Sequence, residues 1–320
     1  MKEEHSTLSC LLHPGTGGIV DDTIITKLKP DLYYVVLNAG NRDKDYEYLT
    51  TQLKDFNANS DTKAELVQLD KKGLLAIQGP LAVSILESIL LDSESANLKE
   101  LYFGQCRSIR LLDNPNDTTY EVLASRGGYT GEDGFELSVA SNELTNVAEL
   151  LLNSAGPEKL RLAGLAARDS LRLEAGMCLY GNDLDDTTTP VEAGLSWVIG
   201  KDRRATGGFH GASIILEQLK PLKEGGRGPP RRRVGLIVEG APARHGAEIV
   251  DQNGESVGVV TSGCPSPTTK KNIAMGYVKN GLHKTGTELG VLVRKKQRKA
   301  VVTKMPFVPS KYFKGGQSPG

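Results

Sequence analysis

Pro221–Pro230 (Pro-Leu-Lys-Glu-Gly-Gly-Arg-Gly-Pro-Pro) restricts the possible folds of this chain more than any other stretch. Ten residues so rich in glycine and proline, and so poor in apolar side chains, cannot continue a helix or a central strand and read as a linker. The patterning differs on its two sides. Upstream, strand-like and helix-like runs alternate. Thr23–Leu28 and Leu32–Asn38 read as strands joined by a turn at Pro30 and Asp31. Asn41 is placed to cap a helix running to Phe56, with Tyr46, Leu49 and Leu53 on one face. Leu66–Leu69 and Leu74–Gln78 are strand-like, and Pro80 opens an apolar helix through Leu91. Cys106–Leu112 and Tyr120–Ser125 form a strand pair, Phe135–Val139 a further strand, and Asn142–Asn153 a helix. Leu162–Ala175 has a helical pattern with Gly176 as its C-terminal cap. The expected class is α+β.

Downstream, Val234–Val238, Glu248–Asp251, Val257–Thr261, Ile273–Val278, Glu288–Val293 and Ala300–Lys304 are short strand-like runs separated by Gly and Pro, the signature of a small all-β barrel or sandwich. The expected organisation is a first domain over residues 1–220, a linker over 221–230, a barrel domain over 231–310 and a tail over 311–320. A length of 320 residues suits two domains.

Bulk chemistry removes several function classes. Lys+Arg and Asp+Glu are both 39, so the net charge is zero and no nucleic-acid partner is expected. The four cysteines form no CxxC pair and the five histidines fall in no ligand spacing, so no metal site and no disulfide framework are expected. No apolar run reaches membrane-spanning length, and the start, Met-Lys-Glu-Glu-His, has neither signal-peptide nor transit-peptide character. There is no GxSxG, P-loop or dinucleotide fingerprint.

Three stretches can carry chemistry. Gly127–Glu136 (Gly-Gly-Tyr-Thr-Gly-Glu-Asp-Gly-Phe-Glu) combines glycines, which permit close ligand approach, with three acids. Glu136 opens the next strand, so its carboxylate is the most firmly held and can accept two parallel N–H bonds, such as a pterin edge presents. Composition alone favours a hairpin with solvated acids. In Leu162–Asp186, small residues at Ala163, Gly164, Ala166 and Ala167 allow close helix packing, while Arg168 and Arg172 share a face at i, i+4. One can meet a ligand and the other an internal acid; a salt-bridged amphipathic helix is the plainer reading. Third, Asp21 and Asp22 follow Gly17-Gly18 at the mouth of a strand, where paired acids serve as base or electrostatic stabiliser, or are merely solvated. The basic runs Arg231–Arg233 and Arg294–Lys299 read as solvated strand ends, with a docking patch for an acidic protein as the sharper alternative.

Taken in this order the stretches resemble the aminomethyltransferase family, the T-proteins of the glycine cleavage system. The similarity runs from about Ser6 to Phe313 and includes Gly17–Asp22, Tyr34–Gly40, Leu75–Pro80, Gly127–Glu136, Leu162–Asp186, Thr188–Trp197, Val259–Pro267 and Met305–Val308. Leu162–Asp186 is the most specific of these. The resemblance implies a folate-binding aminomethyltransferase fold, incomplete at its N-terminus, followed by the barrel. It implies transfer of the methylene of an aminomethyl group from the lipoyl arm of the H-protein to tetrahydrofolate with release of ammonia, without a metal. The P- and L-proteins of the same system are further implied partners. Asp21 becomes the catalytic acid and Glu136 the holder of the pterin edge. Arg168, Asn38 and Tyr129 line the folate site, and Tyr312 closes over it. Asp183, in a Tyr-Gly-Asn-Asp turn, is structural. A folate-binding relative without transferase activity and an inactive fragment are the alternatives. Family members begin on the order of a hundred residues before the counterpart of Ser6, about a small domain's length. The chain is accordingly expected to be N-terminally truncated, with strand edges and core surface uncovered. Eukaryotic members are mitochondrial, and the same compartment is expected here although the chain carries no transit peptide.

Overall fold

The computed structural model describes residues 1–92, 96–114 and 117–315. Upstream of the linker lie two antiparallel sheets. The first, in order β1-β2-β3, consists of β1 (His5–Leu12), β2 (Ile19–Lys29) and β3 (Leu32–Val36). The second, in order β4-β7-β6-β5, consists of β4 (Lys72–Gln78), β5 (Cys106–Asp113), β6 (Thr118–Arg126) and β7 (Gly134–Ala140). Alternating residues of β5, β6 and β7 point into a core shared with helices α2 (Ala82–Glu87) and α3 (Leu144–Ala155). The period-2 pattern read from the sequence is therefore the pattern of one packed sheet face.

A second core joins β1 and β2 to the irregular segment around Cys178–Ile199 and to α6 (Ala212–Leu219). The remaining helices are α1 (Arg42–Asn59), α4 (Leu165–Glu174) and α5 (Lys201–Thr206). Leu222–Glu224 forms a single 3₁₀ turn inside the glycine- and proline-rich stretch.

The six downstream runs close into a barrel in order β10-β11-β8-β13-β12-β9 rather than splitting into a sandwich. They are β8 (Arg231–Val238), β9 (Glu248–Val250), β10 (Ser256–Pro265), β11 (Asn272–Lys279), β12 (Glu288–Val293) and β13 (Lys296–Thr303). Inward side chains such as Leu236, Val260, Ala274, Val291 and Ala300 fill it.

Several expectations fail for tertiary reasons. Leu66–Leu69 forms no strand; Val67 and Leu69 are exposed, and among the described residues no strand pairs with them. The helix expected to run from Pro80 through Leu91 stops at Glu87, because Ile89–Leu91 pairs with β5 instead. Leu112 N–H donates to Ile89 O at 2.8 Å and Leu91 N–H to Arg110 O at 3.0 Å. Asn41 occupies the N-cap of α1 without a side-chain cap bond. Helix α4 begins three residues late, leaving Leu162 exposed, and ends at Gly176 in the left-handed region, φ +69°. The strand β1 and helices α5 and α6 were not expected from the sequence. Leu32, Tyr33 and Val35 on β3 and Leu74 on β4 are exposed.

Candidate active site

The turn after β1 and the entry to β2 set up the first half of the site. Leu11 opposes Asp21 while Leu12 opposes Ile19, so Val20 is an extra residue, a β-bulge beside the acids. The bulge makes Ile19, Val20 and Asp21 consecutively buried, which strict alternation forbids. Asp21, fully buried, is thereby turned inward. Asn38, just after β3, holds it: the side-chain amide donates to Asp21 Oδ1 at 2.9 Å and the backbone N–H to Oδ2 at 3.3 Å. The same amide nitrogen lies 2.9 Å from Asp22 Oδ1, so one asparagine straddles both acids. Burial, then the neighbouring Asp21 charge, push Asp22 above the usual carboxylate range, against the pull of Asn38.

The loop Gly127–Glu136 forms the second half, and its three acids have different fates. Asp133 is not solvated; it pairs with the buried Arg126, whose other N–H groups donate to Leu98 O at 2.8 Å and Leu101 O at 2.7 Å. Glu132 pairs with Lys311 Nζ at 3.0 Å. Glu136 remains, half-buried on β7, with Arg168 as its cationic neighbour; burial pushes its carboxyl above the usual range and Arg168 pulls it back. The loop itself is pinned by Gln78, which donates to Gly127 O at 2.9 Å and accepts from Thr130 Oγ1 at 2.7 Å. Gly128, at φ +153°, makes room for this: a Cβ there would stand 2.0 Å from Gln78 Oε1.

Arg168 and Arg172, one turn apart on α4, separate completely. Arg168 is exposed and lies over the Tyr129 ring, 4.8 Å from its centroid. Tyr129 in turn donates its hydroxyl to Cys178 O, and burial pushes that hydroxyl above the usual phenol range, with Arg172 opposing and Asp22 adding. Arg172 is 1 % exposed and faces the other way, donating to Asp183 Oδ2 at 2.7 Å and Ser262 Oγ at 2.8 Å. A bulge in β10 between Val260 and Ser262 aims Thr261 and Ser262 together at Asp183. Asp183 therefore ties the first domain to the barrel, as a structural residue would. Glu174 repeats the device, accepting from Ser266, Thr268 N–H at 2.9 Å and Thr268 Oγ1 at 2.8 Å.

The chain after the barrel returns to this loop. Phe307 and Val308 N–H donate to Glu174 O at 2.9 and 3.0 Å, and Lys311 N–H donates to Gly131 O at 2.8 Å. Tyr312 then stacks on Phe103 with centroids 4.1 Å apart, and Phe313 lies under Arg126.

Asp21, Asn38, Tyr129, Glu136, Arg168 and Tyr312 thus lie along a chain of neighbours. Asn38 holds Asp21 and Asp22, Asp22 faces Tyr129, Tyr129 faces Arg168, Arg168 faces Glu136, and the Tyr312 segment lies against the loop that carries Tyr129. Tyr34 of β3 joins them, raised by burial, with Ser138 opposing and Glu136 adding. In the basic run Arg231–Arg233, Arg232 stays at the surface on Asn280 Oδ1 at 3.0 Å, while its two neighbours turn toward the first domain. Arg231 lies 3.5 Å from Glu192, and Arg233 donates to Ala193 O and Gly176 O at 2.7 and 3.0 Å, all in the first domain. Sequence reading missed Asp45, which α1 buries beside Asp21; its only signal is an acid at a position that packs inward.

Residues 1–203 match the family described as the GCVT N-terminal domain, and residues 231–309 the glycine cleavage T-protein C-terminal barrel domain. The mitochondrial aminomethyltransferase of Pisum sativum is 50 % identical over 298 residues, covering 93 % of this chain and 69 % of the relative. That of Mus musculus is 46 % identical over 314 residues, covering 98 % of this chain and 72 % of the relative. The crystal structure of the glycine cleavage system aminomethyltransferase T from Bartonella henselae superposes with a TM-score of 0.82 at 37 % identity, over 98 % of this chain and 79 % of that one. Two matching domains, in order, and relatives sharing close to half their residues leave one conclusion: this chain belongs to the aminomethyltransferase family, the T-proteins of the glycine cleavage system.

Proposed function

We propose that the site between β2 and the Gly127–Glu136 loop receives tetrahydrofolate, with Asp21 as the catalytic acid and Glu136 as the holder of the pterin edge. The reaction is the family's: an aminomethyl group carried on a lipoyl sulfur gives its methylene to the folate, and ammonia leaves. The observation that carries the assignment is the sorting of acids. Asp133 and Glu132 are satisfied by Arg126 and Lys311, whereas Asp21 is buried on Asn38 and Glu136 has Arg168 as its charged neighbour. A half-buried carboxylate without close donors suits the paired N–H groups of a 2-amino-4-oxo pterin. Arg168 and Tyr129 stack into a wall along the folate, and Tyr312 covers it.

As the methylene leaves sulfur, positive charge develops on the carbon–nitrogen unit. A fixed, buried carboxylate at Asp21 stabilises that charge without becoming covalently attached. The lipoylated H-protein is the proposed donor, and the P- and L-proteins the proposed associates in the same system. The relatives are named mitochondrial, and this enzyme is placed in the same compartment. Residues 1–220 are read as the folate-binding part and 231–310 as the barrel that braces it through Asp183 and Glu174.

Glu136→Gln keeps the shape of the side chain but removes the charge and one acceptor. Tetrahydrofolate affinity is expected to fall on the order of ten- to a hundredfold, the worth of hydrogen bonds to a charged group. Calorimetric titration measures it, and affinity within about twofold of wild type would remove Glu136 from the site. An assay with lipoylated carrier protein tests the function as a whole. Folate binding without transfer would indicate a binder, and neither would indicate an inactive chain.

A further inference from the structure

Helix α1 buries one side chain completely, and that side chain is an acid, Asp45. An apolar residue would pack this position at no electrostatic penalty, so the acid is retained against stability. Neither carboxyl oxygen of Asp45 meets an N–H or hydroxyl donor among the described residues. The charged neighbour that most strongly opposes its ionisation is the carboxyl of Asp21, itself fully buried. Two neighbouring buried carboxyls strongly disfavour double ionisation, so the pair tends to retain one proton. Asn38 decides where. It directs two N–H groups onto Asp21, at 2.9 and 3.3 Å, and none onto Asp45. Donors favour the charged form, which places the charge on Asp21 and the proton on Asp45.

We propose that Asp45 is a positioning residue for the transfer reaction: a neutral carboxylic acid whose O–H donates to the Asp21 carboxylate and fixes it in one charged orientation. The inference rests on the assignment of Asp21 made above. Asp21 is then held from two sides, by Asn38 and by Asp45. The charged groups facing Asp45 are Asp21 and Asp22 on β2 and its neighbour Lys44. The Lys44 ammonium is engaged elsewhere, donating to Val20 O at 2.6 Å and Tyr180 Oη at 2.7 Å, and lies 3.8 Å from Asp186. Burial, the contact with Asp21 and the Asp21 charge together push Asp45 up to about 8, against the pull of Lys44. Above that pH a second charge appears beside Asp21 and the pair repels. The folded protein also holds a proton between pH 3.8 and about 8 that the unfolded chain has released, so Asp45 makes stability decline as pH rises through this interval.

The test compares Asp45→Asn with Asp45→Ala in the full chain, using the lipoylated-carrier assay, thermal unfolding and infrared spectroscopy. Asparagine is neutral at every pH and still donates. Asp45→Asn is expected to keep kcat at pH 7 within roughly fivefold of wild type, a neutral hydrogen bond of ordinary strength, and to lose the fall in kcat above pH 8. It is also expected to flatten the decline of thermal stability between pH 4 and 8. Asp45→Ala is expected to lower kcat on the order of tenfold or more with little change in KM for tetrahydrofolate. The protonated-carboxyl C=O band at neutral pH should be present in wild type and absent in Asp45→Asn, whether or not the enzyme turns over. An unchanged band in Asp45→Asn overturns the proposal, as does an unchanged alkaline fall in that variant or an unaltered kcat in folded Asp45→Ala. If Asp21→Asn retains full transfer, the reading of Asp21 fails instead, and the infrared band still reports where the proton of Asp45 lies.

Discussion

Asp21→Asn is expected to reduce aminomethyl transfer by on the order of a hundredfold or more while leaving tetrahydrofolate affinity within a few-fold of wild type. The substitution conserves volume in a fully buried position and leaves the hydrogen-bonding partner Asn38 in place. What disappears is the negative charge that meets the positive charge developing on the transferred methylene. An interaction made only in the transition state lowers kcat and kcat/KM together, so steady-state kinetics with lipoylated carrier, paired with folate calorimetry, separates this from a binding defect. Transfer at near wild-type rate would end the assignment. The variant also removes the charge that raises Asp45, so the alkaline fall in any residual activity should move to lower pH.

The second large effect is structural. Arg172→Met removes a buried guanidinium that donates to Asp183, Ser262, Met177 O and Asp169. Asp183 is left with its charge in the interior, supported by Leu179 N–H at 2.9 Å and the two barrel hydroxyls. Breaking a buried pair in this way costs about 3–5 kcal/mol. In a chain of this size that lowers Tm on the order of 10 °C. Because Thr261 and Ser262 belong to β10, the loss should also loosen the barrel from the first domain, seen as faster proteolysis near Pro221–Pro230. The double variant Arg172→Met/Asp183→Leu should recover part of the loss, since no unpaired charge remains. A drop of less than about 2 °C in the single variant would show that the pair contributes little.

The division of the chain was legible because it depends on local chemistry. A glycine- and proline-rich stretch interrupts long helices and strands, leaving here a single 3₁₀ turn, and six short alternating runs after it demand closure onto one another. The sequence left barrel against sandwich open, because alternation states only that one face of each strand is buried. The pairing of β10 with β9 and of β13 with β8 decides that. Likewise the turn at Pro80 was readable, but the length of its helix was not. Ile89–Leu91 has apolar residues that suit either a helix or a strand, and the edge of β5 took them.

At the site, the residue types were legible and their conditions were not. Gly127–Glu136 announces a loop with three acids, and Leu162–Asp186 announces two arginines one turn apart. Which acid stays available depends on Arg126, seven residues before Asp133, and on Lys311 from the far end of the chain, and which arginine is buried depends on Ser262 of the barrel. Sequence by itself determined the two-part architecture, the family and the inventory of carboxylates and guanidinium groups, because these rest on local patterning and residue identity. Tertiary structure alone decided the rest. The bulge at Val20 turned Asp21 inward, α1 brought Asp45 beside it, and pairing with Arg126 and with the distant Lys311 occupied the competing acids of the loop, leaving Glu136. The physical reason is that burial and charge pairing are properties of neighbours in space, and those neighbours come from elements far apart in the chain.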